Sequence, residues 1–578
     1  MEMTRKFRFQ AFRSWLTLSF IFAFVTAAAW ASGFGVLVQL NPSDVASFDA
    51  RHTVQSLRLN PNRDLYLIST SDSRTDQQLL TEIETDPAAG NPELNQPVGL
   101  YSALDQSTAS VLNGSATPSG TSSSGGGLNL TLGGPLGALL NPITHLLTGI
   151  LNPLLGSVLN LNISLGGTGT SVSAGSSNVL NSAPKWFYGA VVPSSYVTQP
   201  MLRQISAGAR AYALSTGDGA VVALIGNGVD PFNPVLSPVL LYNQGYNFYD
   251  NSPDWSAYAD LGDGNNPTAA LQGYQSAQST ASVLNGQTTP STLDQSTASV
   301  LNGTPCATQF GGSGLDQSTA SVLNQSTASV LNGADTESAA LTAITQILTC
   351  DPDFGHGTAV AGLIHLIAPK AKILPIKAFG PGGTADAASI YASITYAIDH
   401  GVNVMNLSFS ATAATGYVQQ AIEEAVQDGI VVVAAGGNSS TSAAVFPASD
   451  AGVIGTGAVD GTQAGYPLAA YSNFDSGPGQ YVDVDVAAPG SQLFTTFPGG
   501  GQIWATVVGT SFSTPLVAGE AALLVQLHTT GTAAKTVIDE TANPSVTANS
   551  QGQIGHGLID VLGALRSASP SLLSLLGW

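Results

Sequence analysis

The chain has 578 residues, of which 9% are charged and 43% are hydrophobic, and its formal net charge is −21. Soluble domains usually carry about 25% charged residues, and no lysine or arginine occurs between Arg210 and Lys370 or between Lys377 and Lys535. Since nucleic-acid binders need clustered basic residues to neutralise phosphates, this composition excludes nucleic acid as a partner, and the hydrophobic content excludes disorder along the whole chain.

Residues 1–31 have the pattern of an export signal. Four basic residues lie between positions 5 and 13, an apolar run covers 15–25, and small residues flank Trp30 as at a cleavage site. The apolar run is shorter than the roughly 20 residues that a membrane-spanning helix needs. We therefore expect a cleaved signal peptide, no stable membrane span, and a secreted or periplasmic protein.

The two cysteines, Cys306 and Cys350, are too few for a disulfide framework or a zinc cluster of their own. Export would allow them to form one disulfide, because disulfides persist in oxidising compartments. Two unpaired thiols fit the sequence equally well, so the pairing stays open.

Residues 35–100 predict a small α+β domain. A strand is expected at 36–40 and a short helix at 43–51, opened by a serine N-cap. An Asn-Pro-Asn turn predicts a hairpin over 57–70, and apolar periodicity predicts a second helix over 77–84.

Two later segments have low sequence complexity. Residues 102–183 are rich in Gly, Ser, Leu and Asn, and prolines interrupt their apolar part, which predicts a loosely ordered linker rather than a membrane helix. The string QSTASVLN occurs five times, and four copies with irregular spacing lie in 264–349. Irregular spacing excludes a solenoid of fixed period. We interpret 264–349 as a low-complexity insertion that has no catalytic role. The alternative is that the repeats have a binding or adhesive role.

Outside that insertion, the chain from Ala220 onward alternates short apolar strands with helices. The predicted strands are 221–225, 373–379, 402–409, 430–435, 453–459 and 482–487, and the predicted helices are 385–400, 417–428 and 514–527. This alternation predicts an α/β fold, a doubly wound parallel sheet covered on both faces, with active groups at the carboxyl ends of its strands.

Three motifs in this α/β region suit acyl-transfer chemistry when they occur together. In HGTAVAG, His356 opens an apolar helix, and in GTSFSTP, Ser511 stands at a Gly-Thr turn just before a helix, whose dipole and free N–H groups favour developing negative charge. In AAGGN, Asn438 follows an apolar strand, where its amide can donate to an oxyanion. Each motif alone is usually structural, but their order along one α/β pattern favours catalysis.

The three motifs resemble those of the subtilisin family of serine peptidases, and the resemblance covers about 185–263 and 350–566. It implies His356 as general base, Ser511 as nucleophile, Asn438 as oxyanion donor, and a protein or peptide as substrate. It also implies a peptidase domain at 185–566, followed by an apolar tail at 567–578.

The same resemblance implies roles for two further segments. Residues 35–100 are similar to an inhibitory propeptide, because PELN at 92–95 resembles the end of the family's propeptides. Ser408, Phe409 and Ser410 match the strand on which the family pairs with the substrate backbone, although Phe409 suits core packing equally well. No metal ligands or cofactors are predicted, and the resemblance leaves structural calcium and oligomeric state open.

One departure from the family pattern concerns the catalytic triad. Its aspartate is expected at the end of the first core strand, where this chain has Gly226. Without that carboxylate, His356 loses the group that fixes its tautomer and stabilises the imidazolium. Asp353 or Asn227 could substitute in part, although a helix-entry or surface role suits Asp353 better.

Two functions follow from these residues. The first is an exported serine endopeptidase of the subtilisin family, with activity reduced by the missing aspartate. The second is a catalytically inactive binding or surface protein on a peptidase fold, favoured by Gly226 and the long insertion.

Overall fold

A computed structural model of the chain describes residues 35–99, 183–261, 353–411, 415–475, 484–498, 504–546 and 552–569, with the strand backbones 129–133 and 162–166. They belong to two compact units, one ending at Asn95 and the other beginning at Gln96. The predicted signal peptide 1–31, the insertion 264–349, both cysteines and the tail beyond residue 569 lie outside the described residues. Within the described part, no helix is both long and apolar enough to span a membrane.

The first unit is a four-stranded antiparallel sheet packed against two helices. Its elements are β1 (Val36–Gln39), α1 (Val45–His52), β2 (Gln55–Arg58), β3 (Leu65–Ser69), α2 (Asp76–Ile83) and β4 (Gly90–Leu94), with strand order β2-β3-β1-β4. Phe48 and Leu79 of the helices pack on Val36 and Ile68 of the sheet in one buried core.

The predicted elements of this unit are found within two residues of these bounds, and two details differ. The expected serine cap of α1 is wrong: Asp44 takes the N-cap position and makes no side-chain cap hydrogen bond. Strand β4 was not predicted, because Gly90 and Pro92 are unfavourable in a strand. By contrast, α2 has a capping box in which Thr75 and Gln78 bond each other's backbone N–H groups.

The second unit is built on a seven-stranded parallel sheet. Its strands are β10 (Val221–Gly226), β11 (Tyr246–Asn247), β12 (Lys372–Lys377), β14 (Val404–Leu407), β15 (Val431–Ala435), β16 (Ile454–Val459) and β17 (Val486–Pro489), in the order β11-β12-β10-β14-β15-β16-β17. Most of their residues are buried. Such continuous apolar runs are typical of parallel strands covered on both faces, so the structure confirms the predicted α/β class.

Helices pack on this sheet and on each other. They are α3 (Ser194–Val197), α4 (Pro200–Gln204), α5 (Ala209–Leu214), α6 (His356–Ile367), α7 (Ala387–Asp399), α8 (Gly416–Gln427), α9 (Thr510–Gln526), α10 (Gly531–Thr541) and α11 (Val561–Ala568). Helix α9 is buried from Thr510 to Val525 and packs on α6 and on β14 to β17. Because a helix that is apolar all round belongs in a core, α9 is the central helix of the unit.

Short strand pairs complete the described structure. They are β5 (Pro97–Gly99) with β13 (Thr384–Asp386), β6 (Asn129–Gly133) with β7 (Asn162–Gly166), β8 (Pro184–Phe187) with β9 (Ala190–Pro193), and β18 (Leu493–Thr496) with β19 (Trp504–Val507). None of the four pairs was predicted. Strands of three to five residues carry too little periodicity to be recognised in a sequence.

The start of α9 differs from the prediction in a way that affects Ser511. The sequence placed the helix at 514–527, but it begins at Thr510, so Ser511 is its second residue and Pro515 lies inside the helix. Pro515 is the sixth residue of the helix, so its missing N–H leaves the carbonyl of Ser511, four residues earlier, without its helical donor. The pattern therefore predicted the helix too short, and Ser511 stands in its first turn rather than before it.

Candidate active site

The sheet brings the predicted site residues to one edge. Parallel strands present their carboxyl ends on the same side, and β10 ends at Gly226, β14 at Leu407 and β15 at Ala435. Ser408 directly follows the end of β14, and Asn438 comes three residues after the end of β15. This is the edge where α/β folds place their active groups.

Ser511 is held in the first turn of α9 and has no access to solvent. The Ser408 hydroxyl donates to the Ser511 carbonyl oxygen at 2.8 Å, and the Asn406 amide donates to the Ser408 hydroxyl at 2.9 Å. The hydroxyl of Ser511 has no hydrogen-bond partner among the described residues. Neighbouring groups thus fix the backbone of Ser511, while its Oγ makes no hydrogen bond among the described residues that would restrict its side chain.

Asn438 is positioned by Thr510, the residue before the serine. Its Oδ1 accepts hydrogen bonds from the N–H and the hydroxyl of Thr510, both at 2.9 Å, and Gly437 N–H donates to the same hydroxyl at 3.2 Å. With the oxygen occupied, the donors that the side chain can offer are its amide N–H groups. This ties the expected oxyanion donor directly to the turn that carries Ser511.

His356 is the first residue of α6, and it is only 4% exposed. Its ring lies 5.0 Å from the ring of Phe512, measured between centroids, which places the imidazole beside the serine turn. Its Nε2 has no hydrogen-bond partner within the described part of the chain. The structure therefore places the predicted base, His356, beside the turn of the predicted nucleophile, Ser511, without a hydrogen bond between them. Such bonds are often long or absent before substrate binds.

Burial lowers the pKa of His356 to about 3, and no carboxylate among the described residues offsets this effect. A neutral imidazole suits a general base, because its free nitrogen can accept a proton. The imidazolium formed in that step would be destabilised by the same burial.

Gly226 ends β10 with neither strain nor crowding. Its backbone does not have a positive φ, and the nearest atom to a Cβ built there would be Leu224 Cδ2 at 3.3 Å. Neither backbone conformation nor space explains the glycine. A Cβ at this position would fit after a shift of a few tenths of an ångström in that leucine side chain.

Asn227 bonds the backbone around His356 rather than its ring. Its Oδ1 accepts from Gly357 N–H at 2.9 Å, and its Nδ2 donates to the carbonyl of Asp353. That carbonyl also accepts from His356 N–H at 3.1 Å. Asn227 therefore anchors the first turn of α6 and does not orient the imidazole, and the bonds between Asp353 and these residues involve its main chain.

A buried cation that the sequence did not point to lies beside Gly226. Lys377 pairs with Gly226 in the sheet register, and its Nζ donates to Asp260 at 2.7 Å, Phe379 O at 2.7 Å and Asn227 O at 2.9 Å. The ammonium is inaccessible to solvent. The charged group at this strand end is thus the Lys377 ammonium, which is paired with the Asp260 carboxylate. No local sequence motif connects these two residues.

The predicted substrate strand lies beside a segment of the chain itself. Phe409 is buried against Phe379, with ring centroids 5.0 Å apart, and it lines a groove; Ser410 is also buried. Strand β5 pairs antiparallel with β13, with Val98 opposite Ala385, and Val98 lines the same groove. Phe409 therefore packs against Phe379 in the core and also lines the groove, while its contact with substrate stays a prediction.

No three His, Cys, Asp or Glu residues among those described could together hold a metal ion.

Comparison with known proteins shows that the segment containing these site residues matches one protein family. The family model described as the subtilase family matches residues 217–557. Subtilisin Savinase of Lederbergia lenta is 31% identical over 221 residues, which are 37% of this chain and 78% of the relative. Thermitase of Thermoactinomyces vulgaris is 33% identical over 199 residues, which are 33% of this chain and 67% of the relative.

The matched part covers some relatives less fully. The alkaline protease of Alkalihalobacillus alcalophilus is 31% identical over 221 residues, and the alignment spans 55% of its length. The solved structure of fervidolysin from Fervidobacterium pennivorans, a keratinolytic enzyme related to subtilisin, superposes with a TM-score of 0.54 at 17% identity. That superposition covers 92% of this chain and 60% of fervidolysin, and it supports the fold alone.

Proposed function

Because this chain belongs to the subtilase family, we propose that it is an exported serine endopeptidase whose catalysis is slowed by the absence of the triad aspartate. The observation that supports this most strongly is the hydrogen-bonded unit of Asn438, Thr510 and the Ser511 turn, with His356 packed on Phe512. The Ser511 hydroxyl makes no hydrogen bond among the described residues, so it does not contribute to holding this unit together and is available for catalysis.

In the proposed reaction, Ser511 Oγ attacks the carbonyl carbon of the scissile peptide and its proton passes to His356 Nε2. The oxyanion that forms is stabilised by an amide N–H of Asn438 and by the N-terminal turn of α9. The proton then goes to the departing amine, and a water molecule hydrolyses the acyl-enzyme by the same steps in reverse.

Gly226 sets the expected rate of this reaction. Removing the aspartate of a subtilisin triad costs about 3 × 10⁴ in kcat, against about 2 × 10⁶ for the serine or histidine. Since Asn227 holds only the backbone of the α6 turn, it cannot replace the lost charge. We therefore expect a slow peptidase rather than an inert one.

Residues 35–100 are proposed to act as a propeptide that ends in the substrate groove. The support is the β5–β13 pairing, since an antiparallel strand added to an exposed edge is how extended peptides bind. The backbone continues this contact where Ala387 N–H donates to Gln96 O at 2.9 Å. We expect self-cleavage shortly after β5, near residue 100.

A fluorophosphonate probe tests the proposed function, because it labels only an activated serine. The purified chain should be labelled slowly, and the Ser511→Ala variant should neither be labelled nor cleave itself near residue 100. Circular dichroism should show that both chains are folded alike.

The second function, an inactive binding protein on the same fold, is favoured by Gly226 and by the missing Ser511–His356 hydrogen bond. It predicts no labelling of the wild-type chain, and labelling of a Gly226→Asp variant alone would identify the native chain as a pseudo-enzyme. Labelling of wild-type Ser511 would rule it out.

A further inference from the structure

The groove that Val98 lines combines an apolar wall with a buried acid. Its apolar lining residues are Val98, Ile390, Phe409, Ala411, Val418, Ile422, Phe446 and Pro447, and its polar lining residues are Thr415, Gln419 and Asp450. It is partly open to solvent beside strand β13, so an extended peptide paired with β13 can place a side chain in it.

Asp450 has no cationic partner among the described residues. Its side chain accepts one hydrogen bond, from Gln419 Nε2 at 3.1 Å, and the residue is 6% exposed. No lysine or arginine occurs between Lys377 and Lys535, and the neighbouring charge from α8 is another acid, Glu423. A buried carboxylate without a cation is costly, so this position favours a positively charged guest.

Thr415 adds a second unused polar group to the groove. Its Oγ1 is buried and has no hydrogen-bond partner among the residues described. Val98 offers only methyl groups, so the chain's own segment satisfies neither Thr415 nor Asp450. The groove is therefore better matched to a guest with a longer, polar-ended side chain than to the residue that lines it.

We infer that Asp450 is a specificity-determining residue of the proposed peptidase and selects substrates with lysine or arginine at the position that Val98 takes in β5. The methylene stem would lie along Phe409 and Ile422, and the cationic end would reach the carboxylate, as long basic side chains do when they cross apolar surface. The inference rests on the proposed function, because it assigns a substrate preference to that active site.

The difference between Val98 and a basic residue at this position explains how a substrate can displace strand β5 from the groove. A strand that contributes backbone hydrogen bonds and a valine binds through its main chain. A basic substrate residue adds a charge-assisted hydrogen bond at Asp450, which is stronger than one between neutral groups. Substrate would thus compete favourably with the segment that precedes residue 100.

Peptides with the sequence of residues 94–105 test the inference, with lysine, leucine or glutamine in place of Val98. We expect the purified full chain to cleave the lysine peptide with kcat/KM about tenfold above the leucine peptide, which corresponds to about 1.4 kcal/mol. In Asp450→Asn, the ratio should fall to near one. Asp428→Asn is the control, since it removes an exposed acid at the end of α8 that does not line the groove.

Binding separates this inference from the proposed function. Fluorescently labelled lysine and leucine peptides are titrated into the Ser511→Ala chain, which needs no catalysis. If no peptide is cleaved but the lysine peptide binds more tightly, the function fails and the inference stands. Equal cleavage and equal binding of the two peptides, or a preference for leucine, would overturn the inference; this comparison within one chain does not depend on whether Asp450→Asn folds.

Discussion

Two halves of the candidate active site differ in how the surrounding chain supports them. On the nucleophile side, which consists of Ser408, Asn438, Thr510 and Ser511, side-chain hydrogen bonds of 2.8 to 2.9 Å fix the serine turn and the amide. On the base side, which consists of Gly226, Asn227 and His356, the imidazole is buried and the bonds of Asn227 hold only the backbone. On the proposed mechanism, the described residues supply the geometry that stabilises an oxyanion but not the carboxylate that would stabilise an imidazolium.

This contrast indicates that an active site can contain the groups that stabilise the negative oxyanion and still lack the group that stabilises the positive imidazolium. The oxyanion is stabilised by dipoles and N–H groups that the fold supplies wherever β15 and α9 keep their positions. The imidazolium depends on a single carboxylate, and a strand can lose that side chain without a change in its fold. Gly226 is consistent with this, because its β10 backbone pairs in register with β12 and nothing crowds it.

The largest expected effect comes from restoring the charge on the base side. Gly226→Asp should raise kcat by about 10³ to 10⁴, because a triad aspartate contributes about 3 × 10⁴ in a subtilisin. Gly226→Asn is the matched control: it has nearly the same shape without the charge and should leave kcat within a few-fold. Peptide hydrolysis by the three chains would be compared, and equal rates for Asp and Asn would contradict the contrast.

A smaller loss is expected on the nucleophile side. Asn438→Ala should lower kcat by about 10² to 10³, the usual cost of one oxyanion donor, with little change in KM. The same substitution in the Gly226→Asp chain should cost a similar factor, because the two halves act on different charges. If Asn438→Ala mainly raises KM, Asn438 binds substrate and does not stabilise the oxyanion.

How much of this was evident from the sequence depends on the distance between interacting residues. His356, Asn438 and Ser511 lie in local motifs, and Gly226 was recognisable as a gap in one, so the α/β class and the position of the site followed from short strings. Lys377 and Asp260 are 117 positions apart and form one buried ion pair. No local pattern predicts such a contact, because only the register of β10 with β12 brings it beside Gly226.

The substrate groove was only partly predictable for the same reason. Phe409 was expected near the substrate strand, whereas Asp450 comes from the loop after Pro447 and Thr415 from the start of α8. Nothing in the sequence around Asp450 marks it as a buried acid. Asp450 is notable because no cation among the described residues lies near it. Which residues surround it is decided by the fold and not by the local sequence.

The smallest predicted effect concerns pH. Burial and the negative charge of Glu423 raise the pKa of Asp450 to about 6, although Gln419 opposes this shift. The carboxylate is therefore charged above about pH 6 and neutral below it, so the roughly tenfold preference for lysine over leucine should be present at pH 8 and decline toward pH 5. The ratio of kcat/KM values across this range measures it, and Asp450→Asn should show no such dependence.

The most direct test of the contrast between the two sides is an NMR titration of His356 in ¹⁵N-histidine-labelled protein, with His356→Gln used to assign its signals. In the wild-type chain, the ring should stay neutral down to about pH 4, because burial lowers its pKa to about 3 and no carboxylate compensates. In Gly226→Asp, the same ring should become protonated at a clearly higher pH. Protonation of wild-type His356 near pH 6.5 or above would show that another carboxylate already supports the imidazole, and it would contradict the account.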